Sequence, residues 1–372
     1  MIGNTKNILI TGATGFLGGY LLKRILDEEG MSPVVLVRGK KGESPAGRVE
    51  KVLKYLYGKD RYKMMSRRVR IVEGDIDRKN LATDKKDQVF LTGDIDEIYH
   101  SAAVAEFKVP IDRIRKINVG GTDNVMKFAL EARMSGRLKN IYHISTTFVA
   151  GTKAGTFSEK DLDVGQKFNN TYEQTKCESE ILAHEYIKRG LNITIFRPSI
   201  LTGDSVNGRT SNFKMLYQPL HFFAAELFDT IPADRSTGFN LIPVDSAADA
   251  ILTLANKEDT SGKTYHIANS NTIEAGHFID LASDFFEFKK PEFIPIKYFN
   301  MKDLSSVQRN LIEPYIPYFN YKTDFDSSFT RNTLAKHGFH CPKIDDKLLI
   351  RLFKFCVDSG FIKPKRHYVT AG

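Results

Sequence analysis

Asn7-Ile8-Leu9-Ile10-Thr11-Gly12-Ala13-Thr14-Gly15-Phe16-Leu17-Gly18 decides the fold of this chain. Residues 7–10 are a short apolar run that reads as a buried strand, and the glycines follow at once. Leu17, Leu21, Leu22, Ile25 and Leu26 then recur with helical spacing. A strand, a tight turn and a helix leave unpaired backbone N–H groups at the helix N-terminus, where a phosphate is stabilised. Glycine permits both the sharp turn and the close approach of a ligand. The segment therefore predicts a cradle for a dinucleotide pyrophosphate, with Thr11, Gly12, Thr14, Gly15, Phe16, Leu17 and Gly18 as candidate contacts.

The next apolar run, 34–37, ends at Arg38. An NAD-binding chain places a carboxylate about twenty residues beyond the glycines to grip the ribose hydroxyls. Here Arg38, Lys40 and Lys41 stand in that place, and no carboxylate precedes Glu43. Either this is a solvated basic turn or it receives a 2′-phosphate; the second reading favours NADPH over NADH. A third strand, 69–72, leads to Asp75 and Ile76, where Asp75 can accept from an adenine amino group. A fourth, 97–99, runs into His100-Ser101-Ala102-Ala103. Ser101, Ala102 and Ala103 are small enough to let a cofactor lie on the strand ends, and His100 reads as a packed or capping histidine.

Tyr-x-x-x-Lys occurs four times, at Tyr55, Tyr172, Tyr298 and Tyr318. Position separates them, because only Tyr172 follows a strand, 141–144, that runs into Ser145-Thr146-Thr147. Residues 172–189 read as a helix, with Asn170 or Thr171 as N-cap and Gly190 just past the end. Spacing of four puts Tyr172 and Lys176 on one face. A nearby ammonium favours tyrosinate and lowers the phenol pKa. Lys176 can also hold the nicotinamide ribose, and Thr146 can orient a substrate oxygen towards Tyr172. The plainer reading is a core tyrosine, a solvated lysine and a strand-end threonine. Asn118 interrupts a helical stripe of Ile111, Ile114, Thr122, Val125 and Ala129. A buried polar group needs a partner, so Asn118 either holds a water in a proton relay or bonds to backbone.

Gly12/Gly15/Gly18, Asn118-Val119-x-Gly121-Thr122, Thr146, Tyr172, Lys176 and Arg197-Pro198 together resemble the extended short-chain dehydrogenase/reductase superfamily. Leu36-Val37-Arg38, the basic insertion 48–68, Gly203-Asp204-Ser205-x-Asn207-Gly208 and Ile242-Pro243-Val244-Asp245 are more closely similar to its thioester reductases. That branch holds carboxylic acid reductase terminal domains, reductive release domains of peptide synthetases and fatty acyl-CoA reductases. The likeness covers about residues 6–270 and is looser beyond, through Phe325-Asp326 and Pro342-x-Ile344-Asp345; Asn207 stands where the branch usually carries threonine.

The resemblance implies NADPH-dependent reduction of an acyl thioester, fatty and bound to CoA or an acyl carrier protein. The product is the aldehyde, with further reduction to the alcohol left open. Thr146 and Tyr172 would stabilise the oxyanion, Asn118 would complete the catalytic set, and Pro198, Ser199 and Ile200 would join Tyr172 and Lys176 around the cofactor. Another extended family member, such as a sugar-nucleotide epimerase or hydroxysteroid dehydrogenase, would share the same sheet. A non-catalytic redox sensor or scaffold would have no use for the Tyr172–Lys176 pair.

Alternating strands and helices predict an α/β fold, a Rossmann-type doubly wound parallel sheet with a smaller C-terminal substrate-binding lobe. Within the 372 residues, 1–205 with a return segment at 239–270 form the expected NADP-binding part, and 206–238 with 271–372 the lobe. Cys177, Cys341 and Cys356 are odd in number and show no metal spacing. A reduced cytoplasmic protein without a metal site is expected. Residues 1–6 hold no apolar h-region, so no signal peptide is expected; nor is there a run of about eighteen apolar residues to span a membrane.

The net charge of +9 would attract CoA phosphates, NADPH or an acidic carrier protein, unless it is simply solvated. Candidate patches are Lys59, Arg61, Lys63, Arg67, Arg68 and Arg70, and the tail Lys363, Lys365 and Arg366. No nucleic-acid motif is present. Of 26 phenylalanines, 18 follow residue 200, so the C-terminal part is where an acyl pocket is expected. Phe213, Leu216, Leu220, Phe223 and Phe228 either line it or form core, and residues 213–228 are a candidate peripheral membrane contact through Phe222 and Phe223.

Overall fold

Buried β-branched and leucine-rich runs set the strands, and the amphipathic stretches between them set the helices. In the computed structural model, which describes residues 5–134 and 136–363, the strands near the site are β1 (Lys6–Thr11), β2 (Met31–Val37), β3 (Arg70–Glu73), β4 (Glu97–His100), β5 (Asn140–Ile144), β6 (Gly155–Phe157), β7 (Ile193–Pro198) and β8 (Ile200–Thr202). Further on come β9 (Thr230–Ile231), β10 (Gly238–Phe239), β11 (Leu241–Pro243) and β12 (Thr264–Ile267). Seven of them make one parallel sheet in the order β12-β7-β5-β4-β1-β2-β3. Strand order reverses between β1 and β4, which opens a crevice at their C-terminal ends. Open α/β sheets bind dinucleotides at such a switch point.

Helices cover both faces. α1 (Phe16–Asp27), α2 (Pro45–Ser66) and, later in the chain, the helix Val244–Lys257 bury Leu21, Leu53 and Ile251 on one side. α3 (Lys85–Asp94), α4 (Ile111–Met134) and α5 (Thr171–Lys188) bury Leu91, Val125 and Ala183 on the other. Residues 264–267 join the sheet as expected. Residues 241–243 do not: β11 pairs with β8 instead, because Pro198 and Ser199 end β7 and turn β8 off the sheet.

Beyond β8, a second core gathers Phe222, Phe228, Phe278, Phe286, Leu352 and Phe353. It is built on α6 (Tyr217–Ala224), the later helices Ala275–Phe286 and Asp346–Asp358, and the short pairings of β9 and β10. Phe222 and Phe223 are only 3% and 2% exposed. They are core residues, which removes the membrane contact expected of them; α6 is apolar nearly all round because it is buried nearly all round. Among the described residues no helix is long and apolar enough to cross a membrane. Residues 323–334 return to the sheet side, where Thr323–Phe325 pairs with β6 and Leu334 enters the α1 core. Residues 1–4, and Lys365 and Arg366 of the expected basic tail, lie outside the described residues.

Candidate active site

The turn between β1 and α1 is built for something that lies against bare backbone. Gly12 has φ 77°, and a Cβ on it would stand 2.6 Å from the Ala102 nitrogen. A Cβ on Gly18 would stand 2.2 Å from the Gly12 carbonyl oxygen. Gly15 occupies the N-cap of α1 without any side-chain cap, so the first-turn N–H groups remain available to a phosphate. Gly12, Thr14, Gly15, Arg38, Asp75, Ile76, Ser101, Ala102 and Ala103 line a cavity of about 210 Å³ on the β2 side. A larger cleft of about 840 Å³ continues past Thr14 to Gly18, Lys40 and Ser101 towards Thr146, Tyr172, Lys176, Pro198 and Ser199. Thr11 is different. It is fully buried beneath the turn, its hydroxyl on His100 Nδ1 (2.7 Å) and on the Ala102 N–H (3.3 Å). It holds the floor of the cradle and does not face the ligand space.

Arg38 and Lys40 both line the cleft. Asp75 lies 3.6 Å from the Arg38 guanidinium and also accepts from the Asp77 N–H. Arg48, which the sequence did not single out for this role, completes the cluster. Its guanidinium donates to the Thr14 hydroxyl and to the Arg38 carbonyl, each at 2.7 Å. Partial burial first, and then the charge of Arg38, lower its basicity, a repulsion that an anion between the two would relieve. The available signal was Ser44-Pro45, a helix start that places Arg48 in the first turn of α2.

Lys176, one turn along α5 from Tyr172, is buried and donates to the Ile144 carbonyl at 2.7 Å. Asn170 caps α5 by accepting from the Glu173 N–H. Burial pushes the Tyr172 phenol up to about 12, the Thr146 hydroxyl opposing the shift. The expected lowering of the phenol by Lys176 is therefore not found: burial sets the shift, and the ammonium is engaged by a backbone carbonyl. Burial also pulls Lys176 down to about 8 against the pull of Glu180. Asn118 takes the backbone option. Its Oδ1 accepts from Val104 N–H (2.8 Å), and its Nδ2 donates to Val104 O (3.1 Å) and Thr175 Oγ1 (3.0 Å). It pins the 103–105 loop to α5, and its Oδ1 keeps a second lone pair.

Ser199 borders the cleft, and its buried hydroxyl has no partner among the described residues. Ile200, expected beside the cofactor, lines two neighbouring cavities on the lobe side instead, because the chain has already turned off the sheet at Ser199. Glu180 and Arg197, both fully buried, meet behind the site with Nε–Oε1 of 2.9 Å, and Ser145 donates to the same carboxylate at 2.6 Å. Burial holds the thiols of Cys177 and Cys356 up at about 12 and that of Cys341 at about 11, so none is a ready nucleophile. The segments 203–208 and 242–245 touch: Ser205 bonds the Asp245 carboxylate through its N–H and its hydroxyl.

Residues 10–251 match the family described as male sterility protein, an NAD-binding family. The chain belongs to it. It is thus a nicotinamide-dinucleotide-binding chain of the extended short-chain dehydrogenase/reductase type, in the thioester reductase branch. It is 25% identical over 371 residues to a linear gramicidin synthase of Brevibacillus parabrevis, covering 95% of this chain and 7% of that one. With the L-2-aminoadipate reductase of Candida glabrata (its large subunit) it shares 29% identity over 270 residues, 67% of this chain and 19% of that one. The chain thus spans a minor part of these relatives. Among solved structures, the terminal R domain of the myxalamid PKS-NRPS pathway superposes with a TM-score of 0.84 at 25% identity, covering 98% of this chain and 94% of that one. UDP-glucuronic acid 4-epimerase from Bacillus cereus, in complex with NAD, shares the fold at a TM-score of 0.67 and 20% identity, covering 95% of this chain and 98% of that one.

Proposed function

We propose that this enzyme reduces an acyl thioester, carried on CoA or a carrier protein, to the aldehyde with NADPH. One observation carries the reading: Thr146 and Tyr172 stand where the long cofactor cleft meets a second cavity, of about 490 Å³, lined by Phe107, Phe148, Ile200 and Tyr315. An acyl group in the second cavity has its carbonyl beside both hydroxyls. The proposed division of labour follows, with the sheet side holding the nucleotide and the lobe holding the acyl group.

NADPH supplies the hydride when bound, and its fit rests on the uncapped glycine turn, the Arg38–Arg48 pair and the unpartnered Ser199 hydroxyl. Thr146 and Tyr172 donate to the carbonyl oxygen as its charge develops, a stabilisation of about 2.7–4 kcal/mol for a good donor. Tyr172 keeps its proton to about pH 12, so it is an acid throughout the working range. Lys176 braces the Ile144 carbonyl and, while protonated, can donate to the nicotinamide ribose. Collapse of the resulting thiohemiacetal expels the thiol. No cysteine is needed.

The names of the relatives, a gramicidin synthase and an aminoadipate reductase, support a carrier-bound thioester; the basic cleft mouth, with Lys40, Lys51 and Lys214, suits an anionic pantetheine carrier. The epimerase likeness, at 20% identity, is one of fold. The test is NADPH oxidation with a panel of CoA and carrier thioesters, with aldehyde identified by mass spectrometry. Turnover on a thioester that falls at least a hundredfold in Tyr172→Phe is the expected result; no turnover on any, or an unchanged Tyr172→Phe rate, defeats the reading.

A further inference from the structure

The cavity beside Tyr172 does not end at the lobe. Ile200, Met215, Tyr315 and Tyr318 line it and also line a deeper chamber of about 110 Å³. Beyond those four residues the walls are Leu220, Phe223, Phe239, Phe278, Ile279 and Phe319, with Thr237 the one small polar group. Among the described residues, none that lines the chamber is charged.

Two features show that the partition between cavity and chamber is held in place. Met215 has φ 43°, a left-handed backbone that is unfavourable for a non-glycine residue and persists only where its surroundings enforce it. The Tyr318 hydroxyl donates to Glu173 Oε1 at 2.5 Å and accepts from Asn170 Nδ2 at 2.6 Å. Its polar end is thereby tied to the first turn of α5, and its ring is stacked on Phe107 with centroids 5.6 Å apart. The partition is thus anchored to the helix that carries Tyr172.

We infer that the chamber receives the far end of the substrate's acyl chain and that Met215 and Tyr318 are the gate that selects an apolar tail of bounded length. The inference rests on the thioester reading above. A tail bearing an amine or carboxylate would lose its hydration against phenylalanine and leucine with no partner, so it is rejected. A chamber of about 110 Å³ holds about four methylene-sized groups, each comparable with the ~30 Å³ of a water molecule. Each methylene sealed from water strengthens binding about fourfold, so specificity rises with chain length until the chamber is full and then stops.

The experiment compares acetyl-, octanoyl- and hexadecanoyl-CoA as substrates for wild type, Ile279→Phe and Met215→Gly, with NADPH binding by fluorescence as the check of folding. Binding of cis-parinaric acid, a fluorescent polyene fatty acid, gives a readout independent of turnover. Expected are an octanoyl to acetyl ratio of kcat/KM of at least ten in wild type, its collapse towards one in Ile279→Phe, and a rise of the hexadecanoyl to octanoyl ratio in Met215→Gly. Parinaric acid should bind wild type and lose at least tenfold in affinity to Ile279→Phe. Ratios and parinaric binding that are unchanged in variants that still bind NADPH would overturn the gate while leaving thioester reduction standing. If no thioester turns over, the proposed reaction fails, and parinaric binding then decides the chamber alone.

Discussion

Lys176 is the residue whose state sets the pH range. Burial holds its ammonium near 8, so it is cationic below that pH and neutral above, whereas Tyr172 stays protonated to about 12. The rate should therefore fall as pH rises through about 8, and Lys176→Arg should move that limb up by more than one pH unit in a kcat/KM profile. The stability contribution of the same group runs the other way. An unfolded lysine titrates near ~10.4, so folding is favoured as pH rises from about 8 towards that value, and thermal melts will separate lost activity from lost structure. Arg48 is the residue proposed to hold the cofactor's 2′-phosphate. A charge-assisted phosphate contact is worth about 1.5–3 kcal/mol, so Arg48→Ala should weaken NADPH roughly 10- to 100-fold and leave NADH within about twofold. Equal losses for both cofactors would mean that Arg48 only braces Thr14.

At the scale of elements, the turn into α1 admits no side chain at Gly12 or Gly18. A methyl on Gly18 would press on the Gly12 carbonyl at 2.2 Å, so Gly18→Ala should cost about 1–3 kcal/mol or more and abolish NADPH binding. Gly93 in α3 meets nothing within 4 Å, and Gly93→Ala should raise stability by up to about 1 kcal/mol; calorimetry on the pair tests both. The cradle and the Tyr172 helix were legible in the chain because each is local: glycines directly after a strand, and a capped helix after Ser145-Thr146-Thr147. What escaped was set by docking between distant elements. Arg48 reaches Thr14 across 34 residues of sequence. Ile200 lies on the lobe side only because β8 leaves the sheet. Phe222 and Phe223 looked available to a membrane until Phe228, Tyr315 and Phe319 packed against them. Asn118 was ambiguous for the same reason, since its partner Val104 sits in a loop with no pattern of its own.

At the scale of the molecule, the Glu180–Arg197 pair joins α5, β7 and the 158–161 loop, with Arg197 also donating to Asp161 O at 2.7 Å. Both side chains are essentially unexposed, so removing one partner strands a charge. Arg197→Met should destabilise by about 3–5 kcal/mol, and Arg197→Met/Glu180→Leu should recover most of that in urea unfolding. Ser145 hangs on the same carboxylate, one residue from Thr146. Thr146 thus neighbours the most buried ion pair among the described residues, and Tyr172 shares α5 with its carboxylate. Turnover measured against urea should trace the same curve as far-ultraviolet dichroism, and an assay of catalysis will serve as a direct gauge of how much protein is folded.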